Sequence, residues 1–219
     1  MERLFYAFLT IPTPLQVCAG NIPFSKDPQL FIMEDVTGAG KTEAAVMLAH
    51  RLMADHASIG IYFGLPTMAT ANAMYERMSA VYRRLFSDSG LAPSLVLAHG
   101  ARDLSKAFRQ TIIPAHHTER DYGDYTEEAG GHCSHWLADN RKKALLAEIG
   151  VGTIDQALLA ILPSRHQSLR LLGLMGKVLI VDEVHACDAY MHKLLQALLH
   201  AHAAAGGSAI LLSATLPAN

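Results

Sequence analysis

The stretch Glu34-Asp35-Val36-Thr37-Gly38-Ala39-Gly40-Lys41-Thr42 constrains the fold more than any other part of the chain. It follows an apolar run, Leu30-Phe31-Ile32-Met33, that reads as a short buried strand, and it precedes a run of helix formers from Glu43 to Leu52. Strand, glycine loop and helix are the context of a phosphate-binding loop. Gly38 and Gly40 let the backbone approach an anion, and the helix start offers unpaired N–H groups and a positive dipole end. Thr37, Gly38, Ala39 and Gly40 would cradle phosphates, Lys41 would reach the outer ones, and the Thr42 hydroxyl would ligate Mg²⁺. The chain is thus expected to bind a nucleoside triphosphate with magnesium.

The rest of the chain reads as strands alternating with helices. Upstream, Thr13-Pro14-Leu15-Gln16 predicts a turn entering a helix, with Gln16 as a surface amide on propensity alone. Strands are expected at 59–65, 94–98, 149–152, 177–181 and 209–212, and helices at about 69–86, 136–147, from 153–156 to Leu162, and 190–205. Thr67 is placed to cap the helix that follows Pro66, while Met68, Met74 and Met78 read as core filling. Residues 102–135 lose periodicity and gather acids, so they read as an insertion or long exposed loop. Such alternation implies right-handed crossovers and a parallel sheet covered on both faces. Ligands on such sheets bind beyond the carboxyl ends of the strands. Lys41, Pro66-Thr67, His99, Thr153, Asp182 and Ser213 all fall just past expected strand ends.

Composition bounds the partners. The 219 residues are 51% hydrophobic and 7% aromatic, as in an α/β domain with a sizeable core. A net charge of −2 gives no bulk attraction for nucleic acid, so any such contact must be local. No apolar stretch has the length of a membrane span, and the acid at Glu2 with prolines at 12 and 14 makes the start a poor secretion signal. Cys18, Cys133 and Cys187 lack framework spacing and read as reduced thiols of a cytoplasmic protein. His116, His117, His132, Cys133 and His135 are crowded enough to suggest zinc, but match no regular tetrahedral spacing and read as loop histidines. Arg102, Lys106 and Arg109 read as a solvated face that offers additional phosphate contacts.

Four apolar residues running into Asp182-Glu183 make a second nucleotide motif. The acid at the strand end would hold Mg²⁺ beside Thr42, and Glu183 would orient or deprotonate the attacking water. His185 and the downstream Ser213-Ala214-Thr215 narrow the class. Asp-Glu-x-His with a later Ser-Ala-Thr is the pattern of superfamily 2 helicases, in which Ser-Ala-Thr couples hydrolysis to movement. The loop also matches the shorter Thr-Gly-x-Gly-Lys-Thr form found in helicases, since the earlier glycine position is Asp35.

Thr13-Pro14-Leu15-Gln16, the loop itself, residues 65–75, Val151-Gly152-Thr153-Ile154-Asp155-Gln156-Ala157-Leu158, and residues 182–191 together resemble the helicase of type I CRISPR interference, the helicase-nuclease recruited by the Cascade complex. The resemblance implies a three-layer RecA-like P-loop NTPase lobe with a mainly parallel sheet, acting on single-stranded DNA. By it, Gln16 would contact the adenine, and Pro66, Thr67, His99, Gly100 and Thr153 would lie along the DNA backbone. It also implies an HD nuclease and a second RecA-like lobe with an arginine finger. Neither is read in these residues, so a single lobe spanning 1–219 is expected to turn ATP over slowly by itself, arginine fingers being worth roughly 10³–10⁵ in rate. A DEAD/DEAH-like lobe acting on RNA and a non-catalytic fragment are the competing readings.

Overall fold

The computed structural model describes residues 11–55, 58–85, 94–98 and 144–214. The elements are α1 (Pro14–Asn21), β1 (Leu30–Glu34), α2 (Lys41–Ala54), β2 (Gly60–Leu65), α3 (Met68–Leu85) and β3 (Leu95–Ala98), then β4 (Ile149–Thr153), α4 (Ile154–Leu158), α5 (Gln167–Leu174), β5 (Lys177–Val181), α6 (Ala189–Ala204) and β6 (Ala209–Ser213). The strands form one six-stranded sheet in the order β1-β6-β5-β2-β4-β3, and every neighbouring pair is parallel. The expected mainly parallel sheet is therefore parallel throughout.

The strand order follows from the crossovers. From β1 to β2 to β3 the chain moves one way across the sheet, and from β4 to β5 to β6 it moves back. Right-handed connections then lay α2 and α3 on one face and α4, α5 and α6 on the other. Both faces are covered, so β2, β4, β5 and β6 are buried at every residue, as their near-continuous apolar runs require. Among the described residues, Tyr62, Phe63 and Tyr75 are the largest fully buried side chains.

Several expectations change. β1 is an edge strand among the described residues, and only Met33 of it is buried; Leu30 and Ile32 are 52% and 54% exposed. An apolar run records affinity for a sheet, and position within the sheet is decided by the other strands. Met68 is half-exposed at the start of α3, while Met74 and Met78 are core. The helix expected to reach Leu162 ends at Leu158 and relaxes into turns whose amides bond three residues back, as at Ala160 and Ile161, before Pro163. The helix expected over 136–147 meets the described residues only at its end, a 3₁₀ turn over Ala144–Leu146. The 102–135 segment and the histidine cluster lie outside the described residues. α5 was not anticipated.

One charge sits inside this core. Lys177, first in β5, is 3% exposed, and its ammonium donates to the carbonyls of Leu145 in the 3₁₀ turn and Ala147 just after it. Burial pushes its amine down to about 7, against a smaller upward pull from Glu148.

Candidate functional site

The phosphate loop leaves β1 and closes into α2. Gly38 and Gly40 both take positive φ, 85° and 80°, which other residues reach only with strain. They differ in surroundings. A Cβ on Gly38 would meet nothing within 4 Å, whereas one on Gly40 would come 2.2 Å from Gln16 Nε2. Gly40 is tight because α1 is packed beneath it. The Thr13 hydroxyl donates to Ala39 O at 3.1 Å, and Gln16 Nε2 donates to Gly40 O at 3.4 Å. Thr13 and Gln16 also cap α1 reciprocally, the Thr13 amide donating to Gln16 Oε1 at 2.8 Å. Gln16 is fully buried, not the surface amide its local sequence suggests.

α1 is clamped at its other end. Arg51 of α2 donates to Ala19 O and Ile22 O at 2.7 and 2.8 Å while its guanidinium lies 4.2 Å from the Phe24 ring centre. Sequence inspection missed this residue, whose two acceptors lie about thirty positions upstream. Lys41 folds back on its own loop, donating to Asp35 O at 2.5 Å and Val36 O at 2.8 Å. Thr42 is half-buried in the first turn of α2.

The second motif begins where β5 ends. Asp182 continues the sheet bonding by donating its amide to Gly64 O, and its Oδ1 accepts from the Glu183 amide at 2.9 Å. Burial first, then neighbouring Glu183, raise its carboxyl above the usual range, against the Glu183 amide bond and the pull of Lys41 and Arg77. Lys41 is thus near enough to act on this carboxylate. Oδ2 accepts no hydrogen bond among the described residues, so one oxygen of Asp182 is available to a cation. Glu183 is left-handed at φ 53° and ψ 46°, an uncommon state for a residue with a side chain. From there its Oε2 lies 3.1 Å from His185 Nε2, and His185 Nδ1 lies 3.4 Å from Ser213 Oγ. Glu183, His185 and Ser213 therefore form a polar chain from the end of β5 to the end of β6.

Across the rim, Thr67 and Thr70 cap α3 reciprocally, as expected of Thr67, and both hydroxyls stay exposed beside half-buried Pro66. Thr153 ends β4, 7% exposed, with its carbonyl accepting from the buried Tyr62 hydroxyl at 3.0 Å and its own hydroxyl in no cap bond. Ala214 is half-buried directly after β6, and His99, Gly100 and Thr215 lie outside the described residues. Cys187 is half-buried, and burial with Asp188 and Asp155 raises its thiol, as suits a packing residue. None of the described helices is long and apolar enough to cross a membrane.

Comparison with known proteins addresses the family of the chain. The family model for DEAD/DEAH box helicases matches residues 19–219. CRISPR-associated endonuclease/helicase Cas3 of Escherichia coli (strain K12) is 47% identical over 206 residues, covering 94% of this chain and 22% of that protein. The crystal structure of T. fusca Cas3-ADP superposes with a TM-score of 0.80 at 36% identity over 98% of this chain and 22% of that one, and the Cas3-AMPPNP structure with 0.78. A chain of a CRISPR RNA-guided surveillance complex, pre-nicking, matches at TM-score 0.61 and 31% identity, over 98% of this chain and 19% of that one. The chain spans about a fifth of the length of the curated relatives it matches. Matched by that family model over most of its length, the chain belongs to the DEAD/DEAH box helicase family and is a homologue of one lobe of the Cas3 helicases.

Proposed function

We propose that this chain is the ATP-binding lobe of a DNA helicase of CRISPR interference, which hydrolyses ATP to move along single-stranded DNA when a second RecA-like lobe completes it. The observation that carries the reading is one rim holding both a loop braced from beneath by Thr13 and Gln16 and the chain from Glu183 through His185 to Ser213. The T. fusca structures with ADP and AMPPNP support the choice of nucleotide.

In this reading the amides of Thr37 to Thr42 bind the phosphates, and Lys41 exchanges its two loop carbonyls for phosphate oxygens. The Thr42 hydroxyl and the free oxygen of Asp182 fit Mg²⁺, which when bound offsets phosphate charge. Glu183 aligns the attacking water and takes its proton, and His185 holds the Glu183 carboxylate in place and passes its position on to Ser213. Gln16 supports Gly40, and its contact with adenine requires the buried amide to be uncovered as the nucleotide enters. Pro66, Thr67 and Thr153, with His99 and Gly100, track the DNA backbone through hydroxyls and amides, which needs few cations. An HD nuclease and a Cascade-type complex are the further partners, the latter supported by the likeness to a surveillance-complex chain. The compartment would be the cytoplasm.

The test compares the parent chain with Lys41→Ala and Glu183→Gln. Fluorescent ATP should bind the parent and Glu183→Gln alike and Lys41→Ala much more weakly, while turnover, slow in the parent, should vanish in Glu183→Gln. Equal binding by Lys41→Ala would refute the assignment of the loop.

A further inference from the structure

Between β4 and β5 lies a charge that neither nucleotide motif uses. Arg170 of α5 is 7% exposed, and among the described residues no carboxylate pairs with it. Its Nη1 donates to the Gln156 carbonyl at 3.3 Å and to Gln156 Oε1 at 3.1 Å, while its Nε is buried without a partner. An apolar side chain would fill such a place at less cost, since a buried guanidinium loses its hydration and regains little without a counter-ion. Burial pushes its pKa down accordingly, with the Tyr62 hydroxyl acting the other way. What the arginine contributes in return is geometry.

Its acceptor is a weak element. α4 has five residues, Ile154–Leu158, too few to sustain itself, and the carbonyls of Asp155, Ala157 and Leu158 are taken up by the turns that follow, leaving Gln156 to a side chain. Beside these turn bonds and the burial of Ile154, Ala157 and Leu158, side chains from outside hold the segment at two points. Tyr62 of β2 holds the Thr153 carbonyl at 3.0 Å, and Arg170 holds the main chain and side chain of Gln156 together. Two elements far apart in sequence thereby fix the two ends of four residues.

We infer that Arg170 is a positioning residue for Thr153–Gln156, and that the hold of this segment on a single-stranded DNA backbone depends on the Arg170–Gln156 contact. The inference rests on the proposed DNA-binding role of Thr153. Without Arg170 the segment keeps the core burial of Ile154, Ala157 and Leu158 and the Tyr62 bond to Thr153, but it loses the side-chain hold on Gln156 and its backbone opens more readily. Nucleotide contacts at the phosphate loop stand on other elements and should not respond.

The experiment uses the full 219-residue chain, Arg170→Met and Arg170→Lys. Lysine keeps a buried cation but offers it as a point instead of a planar fork, and it carries the comparison if the methionine variant fails to fold. Three quantities are read: amide hydrogen exchange over residues 153–158, affinity for a fluorescein-labelled oligothymidylate, and affinity for a fluorescent ADP. The expected result is faster local exchange and a fall of about tenfold in oligothymidylate affinity, with ADP affinity within about twofold of the parent. Unchanged exchange at 153–158 would overturn the inference. So would faster exchange with unchanged DNA affinity, or a joint loss of DNA and ADP affinity. A parent chain with no affinity for the oligothymidylate would remove the DNA role itself, while the exchange data would still decide whether Arg170 positions the segment.

Discussion

Replacing Lys177 by methionine isolates the effect of one buried amine on stability. The folded amine titrates at about 7 and the free one at 10.5. Between those values the unfolded chain binds a proton that the native chain does not, so raising the pH favours the native state. Below pH 7 the charge is buried and the cost is present in full, about 5 kcal/mol from the difference of the two values at about 1.4 kcal/mol per unit. Above pH 10.5 it has gone. Methionine removes this cost but leaves the Leu145 and Ala147 carbonyls without their donor, at about 1–3 kcal/mol each. The two effects nearly cancel at neutral pH, and the slope against pH separates them. From pH 7.5 to 9.5 the parent should gain about 2–3 kcal/mol on Lys177→Met. Neighbouring groups leave that window clear. Burial alone would raise Glu148, yet the hydroxyl and amide of Ser94 hold it below the usual carboxylate range, and burial keeps His202 below the ordinary histidine value. Urea unfolding followed by far-UV circular dichroism at a series of pH values measures the difference. Parallel stability curves for parent and variant across that interval would refute the reasoning.

The glycines and the clamp on α1 give further expectations. Gly40→Ala should destroy nucleotide binding and Gly38→Ala should weaken it less, because both incur about 1–2 kcal/mol of left-handed strain while only the first drives a methyl group into Gln16; equal losses in a fluorescent-ADP titration would contradict this. Arg51→Ala should lower stability by about 2 kcal/mol through two charge-assisted bonds and the Phe24 contact, and should weaken nucleotide binding through the release of α1 and Gln16. A thermal midpoint and an ADP affinity both equal to the parent's would count against the bracing of the loop from beneath.

Much of the site was legible because its chemistry is local. The glycines, Lys41 and Thr42 follow one strand in nine consecutive residues, and Asp182-Glu183 follow a run that can only be a buried strand. Strand boundaries fell within a residue for the same reason, since β-branched and leucine-rich runs end abruptly at polar residues. What escaped is set by distant parts of the chain. Gln16 reads as a surface amide from its neighbours, and it is buried because the loop lies over it. α5 begins at a left-handed His166 with no side-chain cap, so it lacks the starting signal that marks α6 at Asp188. Arg170 and Lys177 look like ordinary surface cations until carbonyls more than a dozen residues away are brought to them.

Among the described residues β1 touches the sheet along β6 alone, yet it carries the phosphate loop. A margin opens more cheaply than an interior strand, so this part of the molecule should exchange its amides sooner than β5 or β2. A nucleotide held by the loop would then act on the margin directly, favouring the closed form by its binding free energy and leaving the interior strands little changed. Occupancy of the loop would be written into the firmness of one border of the sheet, where a neighbouring body resting on Leu30 and Ile32 could sense it.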